Sequence, residues 1–349
     1  MSTPLPPAAA LRRIAFLLER AREATYRVSA YRTAAAVVDG LDDAELDRRI
    51  RTGTLKDLKG IGPKTATAIA QAHRGEVPEY LAGLEETYAG ELPAAEDVAA
   101  FRAALRGDLH AHSDWSDGGS PIREMAEAAL ALGHEYLALT DHSPRLTVAN
   151  GLSPARLEQQ LDVVAALNEE LGPFRILTGI ECDINVDGSL DQTDELLGRL
   201  DVVVASVHSE LRAPKAQMTE RMLAAVADPH TDVLGHCTGR LVIGRRQRNG
   251  TQKPRPESQF DAEAVFSACV EFGTAVEINS RPERLDPPRR LLTLAVELGC
   301  EFAVDTDAHA PGQLDWQHNG CERAVECGVP VERVINTRTA DDLLAWTRG

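Results

Sequence analysis

The chain has 349 residues, 37 of them basic and 54 acidic, for a formal charge of −17; that length suits two domains better than one. A hydrophobic share of 43% with 26% charged residues excludes a disordered chain, and no apolar run approaches the roughly 20 residues a bilayer span needs. The N-terminus MSTPLPPAAALRRIAF has no basic segment ahead of an apolar one, and six cysteines (182, 237, 269, 300, 321, 327) form no CxxC pair; both features predict an unsecreted, cytoplasmic chain without a disulfide framework or a zinc ribbon.

Residues 1–92 carry 13 basic and 13 acidic side chains, so the whole −17 falls on the remainder. Such a split predicts two domains with different partners. Leu11, Ile14, Leu17 and Leu18 keep a helical period, and LDDAELDRRI repeats it after Gly40, so residues 1–92 are expected to be a small all-α domain. Within it LKDLKGIGPKTATAIAQAH, residues 55–73, reads as a helix-hairpin-helix. Gly60 and Gly62 permit a tight turn and close approach to phosphate, Pro63 opens the second helix, and Lys59 and Lys64 supply charge. These four residues, Lys59, Gly60, Gly62 and Lys64, are expected to hold a DNA backbone without reading its sequence. YAGELPAAED is polar and turn-rich, and residues 93–105 are expected to be a linker.

From 106 to 349 the pattern becomes short apolar runs separated by amphipathic stretches: GDLHAHS, EYLALTDHS, RILTGIECDI, DVVVASVHS, DVLGHC, TAVEINS and EFAVDTDAH. Seven strand–helix alternations predict a parallel α/β barrel; an open doubly wound sheet is disfavoured because no glycine-rich loop follows the first run. The runs end in His110-Ala-His112, His142, Glu181, His208, His236 and Asp307-Ala-His309, with Asp117 just beyond the first. In a strand, residues i and i+2 share a face, and barrel strands converge at their carboxyl ends. Six of the ten histidines therefore gather at one mouth. Imidazole with carboxylate selects zinc, manganese or iron(II) over calcium, and nine donors imply two or three divalent ions.

DLHAHSDWSDG, LTDHS, GIECDI, DGSLD, ASVHS, GHCTGRL, EINSRPERLD and DTDAH together resemble the PHP phosphoesterase domain of bacterial family X DNA polymerases. The resemblance implies a distorted (β/α)7 barrel with a trinuclear centre. His110, His112, Glu181 and Asp307 would hold one ion; Glu181, His208 and His236 a second; Asp117, His142 and His309 a third. It favours Asp117 over Asp114 as the ligand, and it implies proline where this chain has Cys237. Residues 8–88 resemble the lyase-type domain of the same polymerases, except that Ala68 stands where the Schiff-base lysine would be, so lyase chemistry is not expected. No polymerase palm separates the two regions, so nucleotidyl transfer is not expected either. Amidohydrolase barrels also use an H-x-H pair, but their bridging lysine at the end of strand four has no counterpart here.

The chain thus reads as a metal-dependent phosphoesterase that acts on DNA ends, as a 3′–5′ exonuclease or 3′-end processor or at abasic sites, in DNA repair. Asp117 and His309 are candidates for handling protons. Arg284, with Arg281 and Asn279, is a candidate clamp on phosphate oxygens. Arg240 and Arg245 open a basic stretch, free of acidic residues from 238 to 256, that is expected on the rim of the mouth facing DNA. No membrane and no obligatory protein partner are expected. The alternatives are a small-molecule phosphatase of the histidinol-phosphate type and a non-catalytic DNA-binding module.

Overall fold

The computed structural model describes residues 3–89, 95–244 and 253–348, and the chain divides into two compact units, Met1–Pro93 and Ala94–Gly349. The first unit holds α1 (Pro7–Arg20), α2 (Thr25–Asp39), α3 (Asp43–Thr52), α4 (Pro63–His73) and α5 (Glu79–Ala89). Leu11, Ile14, Leu17 and Leu18 of α1 are buried with Ala34, Ala35 and Val38 of α2 and Ala68 and Ile69 of α4. Asp42 caps α3 by accepting from the Glu45 amide, and Gly53, at φ 71°, ends it in the left-handed region. The first helix of the hairpin motif is therefore α3. LKDL, expected to be helical, forms only a 3₁₀ turn over Leu55–Asp57 because the chain has already been stopped at Gly53. Gly60 follows at φ +99°, where a Cβ would lie 2.7 Å from Thr33 Cγ2; only glycine fits there.

The second unit begins with α6 (Glu96–Ala104), inside the stretch expected to be a linker. Val98 and Phe101 of α6 are buried in the barrel core, and Arg102 Nη2 donates to His134 Nε2 at 2.7 Å; apolar burial overrides the polar, proline-bearing sequence just before it.

Seven strands follow: β1 (Gly107–Ala111), β2 (Tyr136–Leu139), β3 (Arg175–Asp183), β4 (Val202–Ser206), β5 (Val233–Leu234), β6 (Ala275–Asn279) and β7 (Phe302–Asp305). All pair in parallel in the order β1 to β7. The sheet nearly closes: the His112 amide donates to the Ala308 carbonyl at 2.8 Å, and Ala111 bridges Ala308. Between strands run α7 (Ile122–Ala131), α8 (Pro154–Leu171), α9 (Asp194–Leu197), α10 (Lys215–Val226), α11 (Ala262–Phe272) and α12 (Arg289–Leu298), and α13 (Gln317–Glu326) and α14 (Ala340–Thr347) complete the unit. Helices cover the sheet, so its strands are apolar on both faces, with buried positions throughout β1, β2, β4, β6 and β7. The distorted (β/α)7 barrel expected from the sequence is the fold of this unit. No described helix is long and apolar enough to cross a membrane.

Candidate metal centre

Period-two geometry turns His110 and His112 of the β1 run the same way, and the ends of β2, β3, β4, β5 and β7 bring the remaining donors to the same mouth. Glu181, 1% exposed, is the hub. Its Oε2 lies 3.4 Å from His110 Nε2, 3.5 Å from His112 Nε2 and 2.8 Å from His142 Nδ1, and its Oε1 lies 3.3 Å from His208 Nε2 and 2.8 Å from His236 Nε2. Asp307 Oδ1 is 3.6 Å from His112 Nε2 and 3.4 Å from His309 Nδ1. Asp117 Oδ1, the most exposed donor, is 3.4 Å from His142 Nε2 and 3.3 Å from His309 Nε2. All nine residues named from the sequence meet here.

Three groups have ligand atoms close enough together to hold an ion: His112, Asp117, His142 and His309; His110, His112 and Asp307; and His142, Glu181 and His208. The rings crowd one another, with His112 centred 4.2 Å from His309 and 4.4 Å from His142. His110 Nε2, both nitrogens of His112, His208 Nε2, His236 Nδ1 and Glu181 Oε2 are buried without a hydrogen-bond partner among the described residues. Orphaned buried polar atoms are costly and rare; so many in one place fit a divalent cation, whose donors these are.

The electrostatics divide the rings. Burial acts to lower His110, His142 and His208, but Glu277 and Glu181 raise His110 well above the ordinary imidazole value and Glu181 raises His142 and His208, so these three hold protons that a metal ion would have to displace. Burial alone would raise the Glu181 carboxyl, but His208, His110 and His142 hold it well below the usual range. Burial, and then His309 and His142, push the His112 imidazole well below its ordinary value, which favours the neutral form a metal requires. Burial would likewise raise Asp307, yet Arg284 and Arg281 keep it well down.

Buried neighbours hold the donors. Asp141 accepts from the Ser113 amide at 2.9 Å, from Ser113 Oγ at 2.6 Å and from Gln160 Nε2 at 2.7 Å, which fixes the loop from His112 to Asp117. A Cβ at Gly118 would lie 2.6 Å from the Ser113 carbonyl, so the turn that brings Asp117 back is open only to glycine. Asp114 is exposed and outside the cluster. Asp183 accepts from His208 Nδ1, and Glu277, fully buried on β6, accepts from His110 Nδ1 at 2.5 Å. The sequence reading overlooked Asp141, Asp183 and Glu277. Glu277 and Asn279 do carry a signal, two polar residues at period two in an otherwise apolar run.

Arg284 Nε donates to Asp307 Oδ2 at 2.8 Å while its Nη1 is buried without a partner among the described residues. Arg281 Nη1 reaches the Asp307 carbonyl at 2.7 Å and His309 Nδ1 at 2.9 Å; its guanidinium lies 5.8 Å from the Trp316 ring centre, so Arg281 braces the segment that follows β7. Arg240, expected to face DNA, is tied inward: it donates to the backbone carbonyls of Arg284 and Leu285, and those bonds hold the loop after β6. Arg245 lies outside the described residues. Burial pushes the Cys237 thiol well up, away from the thiolate that metal binding or oxidation needs.

Lys59 and Lys64 are exposed at the hairpin with Gly60 and Gly62, and the Gly62 amide donates to Thr65 Oγ1 at 3.0 Å. Arginines of this unit are engaged with acids, as in Arg12–Asp39, Arg32–Glu19, Arg49–Glu45, Arg51–Asp47 and Arg74–Glu76. Lysines 56, 59 and 64 have no such partner among the described residues.

A nearly closed seven-stranded barrel with this mouth, preceded in the chain by a helical hairpin unit, defines a metal-dependent phosphoesterase of the PHP class. The chain belongs to that family: residues 108–281 match the PHP domain and residues 6–76 the helix-hairpin-helix domain. It is 40% identical over 244 residues to the DNA polymerase/3′-5′ exonuclease PolX of Bacillus subtilis (strain 168), a stretch that takes in 70% of this chain and 41% of that protein; the chain thus spans about two fifths of that relative's length. A probable phosphatase of Thermoanaerobacter sp. (strain X514) is 27% identical over 241 residues, 66% of this chain and 89% of that one. Among solved structures, histidinol phosphate phosphatase from Lactococcus lactis, complexed with zinc, L-histidinol and phosphate, is similar at 20% identity and a TM-score of 0.46, covering 64% of this chain and 92% of that one.

Proposed function

We propose that the chain is a DNA-end phosphoesterase: the hairpin unit holds the DNA backbone and the barrel mouth hydrolyses a phosphate ester at or near a 3′ end, in repair and without polymerase activity. The observation that carries this reading is the presence of a nine-donor mouth together with a hairpin whose three lysines have no acidic partner among the described residues. His110, His112, Asp117, His142, Glu181, His208, His236, Asp307 and His309 are the proposed ligands of two or three divalent ions, zinc or manganese. Such ions supply a hydroxide near neutral pH and neutralise phosphate charge.

The chain's own groups do the rest. Arg284, one of whose buried nitrogens has no hydrogen-bond partner among the described residues, is the proposed contact for a nonbridging oxygen as charge builds in the transition state. Asp117 and His309, 3.3 Å apart, are the groups proposed to pass a proton to the leaving oxygen. Lys59 and Lys64 with the amides around Gly60 and Gly62 are the proposed backbone contacts. Six unpaired cysteines suit a reducing cytoplasm.

A panel with added manganese decides: 3′- and 5′-labelled DNA, abasic duplex, and small phosphate monoesters including histidinol phosphate. Release from 3′ ends faster than from the monoesters is the expected result; preference for histidinol phosphate would favour the small-molecule reading, and metal-independent DNA binding with no hydrolysis would favour the non-catalytic one.

A further inference from the structure

We propose that Glu277 is a positioning residue that fixes which nitrogen of His110 faces the metal centre, an inference that rests on the reading of the mouth as metal-binding. Glu277 is fully buried on β6, the strand that contributes none of the nine donors. Its Oε1 accepts from His110 Nδ1 at 2.5 Å. Its Oε2 accepts from the His236 backbone amide and from Asn279 Nδ2, the latter at 3.2 Å. One carboxylate therefore ties β1, the end of β5 and β6 together just behind the mouth.

The two oxygens have different obligations. The His236 amide can only donate, so whatever stands at Oε2 must accept. His110 Nδ1 can donate or accept, depending on where the imidazole proton sits. With a carboxylate opposite, Nδ1 must carry the proton, and Nε2, buried and without a hydrogen-bond partner among the described residues, is left bare to ligate. Carboxylates behind metal-binding histidines act in this way, and their loss costs about 10- to 100-fold in metal affinity.

Glutamine at 277 would keep the shape and reverse this logic. Its carbonyl oxygen would be claimed by the His236 and Asn279 donors, and its NH2 would face His110 Nδ1. The imidazole proton would then move to Nε2, the nitrogen that ligates. Alanine removes the same charge without presenting a donor to Nδ1. The expected order of zinc affinity is wild type, then Glu277→Ala, then Glu277→Gln, with Glu277→Gln weaker than wild type by about 10- to 100-fold. A merely structural residue would give the opposite order for the two variants, since the isosteric change disturbs packing least.

The test uses the full chain with zinc alone as the probe. Metal per chain is measured by elemental analysis during chelator competition, and circular dichroism of the metal-free proteins checks the fold. Glu277→Gln retaining zinc as wild type does, or more tightly than Glu277→Ala, overturns the role of Glu277 while leaving the centre standing. Wild type that takes up no zinc overturns the centre itself, and this inference with it. A second readout needs no change at 277: in zinc-loaded protein with 15N-labelled histidine, His110 (assigned through His110→Gln) should carry its proton on Nδ1, and a proton on Nε2 overturns the proposal.

Discussion

His112 stands between the rings of His309 and His142 and within 3.6 Å of the carboxylates of Glu181 and Asp307; among the described residues it and His142 each belong to two candidate groups. His112→Ala should lower turnover of a chromogenic phosphate ester by at least about 100-fold, with DNA affinity, read by fluorescence anisotropy, unchanged. Near-normal turnover would remove His112 from the centre. The donors were legible because all but Asp117 sit at the end of an apolar run, where period two and parallel pairing leave few places to point. Glu277, Asp183 and Asp141 were not legible in this way. A carboxylate that only holds a histidine or a loop has no spacing of its own, and its role appears when the neighbouring strand is in place. Arg240 was misjudged for a related reason: a basic run looks alike whether its side chains face solvent or brace a carbonyl.

The hairpin between α3 and α4 and the helix α6 show how elements can be placed or missed. Gly60 and Gly62 marked the turn, but the left-handed stop at Gly53 shifted the first helix upstream. Lys59→Ala with Lys64→Ala should reduce the dependence of DNA affinity on salt by about one unit of slope per lysine, since each phosphate contact releases about one counterion; hydrolysis of a soluble ester should be unaffected. An unchanged slope would return the hairpin to a packing role. Helix α6 escaped notice because a short helix shows little periodicity of its own, and it is held by burial of Val98 and Phe101 and by Arg102 against His134. Burial, and then the Arg102 charge, push His134 down to about 3, below an ordinary value near 6.5. The unfolded chain therefore takes up the proton first, so the stabilising effect is complete above about pH 6.5 and is lost as pH falls from there toward 3. At pH 5 the loss amounts to about 2 kcal/mol. His134→Gln, which can still accept from Arg102, should flatten the fall in urea midpoint between pH 7 and pH 5; equal slopes for both proteins would mean that the folded imidazole is charged.

Across the whole molecule, each unit draws its core from its own residues, Ala10 to Leu81 in the first and Val98 to Leu344 in the second. A chain starting at residue 95 should therefore fold and hydrolyse a small ester within about twofold of the full protein, while losing DNA affinity by about tenfold or more, the usual return from linking two binding modules. Retention of full DNA affinity would mean that the acidic barrel binds DNA unaided. The split in net charge already pointed to two units with separate tasks.

The histidine crowd around Glu181 also makes the barrel's endurance a function of ion supply. A protein that binds metal only when folded gains RT ln(1 + [M]/Kd), about 2.7 kcal/mol at a hundredfold excess over Kd. In a chelating buffer the second unit should melt several degrees lower, while the first, which has no candidate site among its described residues, stays where it was. A cell short of zinc or manganese would then face more than idle enzyme: unoccupied barrels would open more often and be cleared by proteases, so that scarcity of the ion would show as scarcity of the protein.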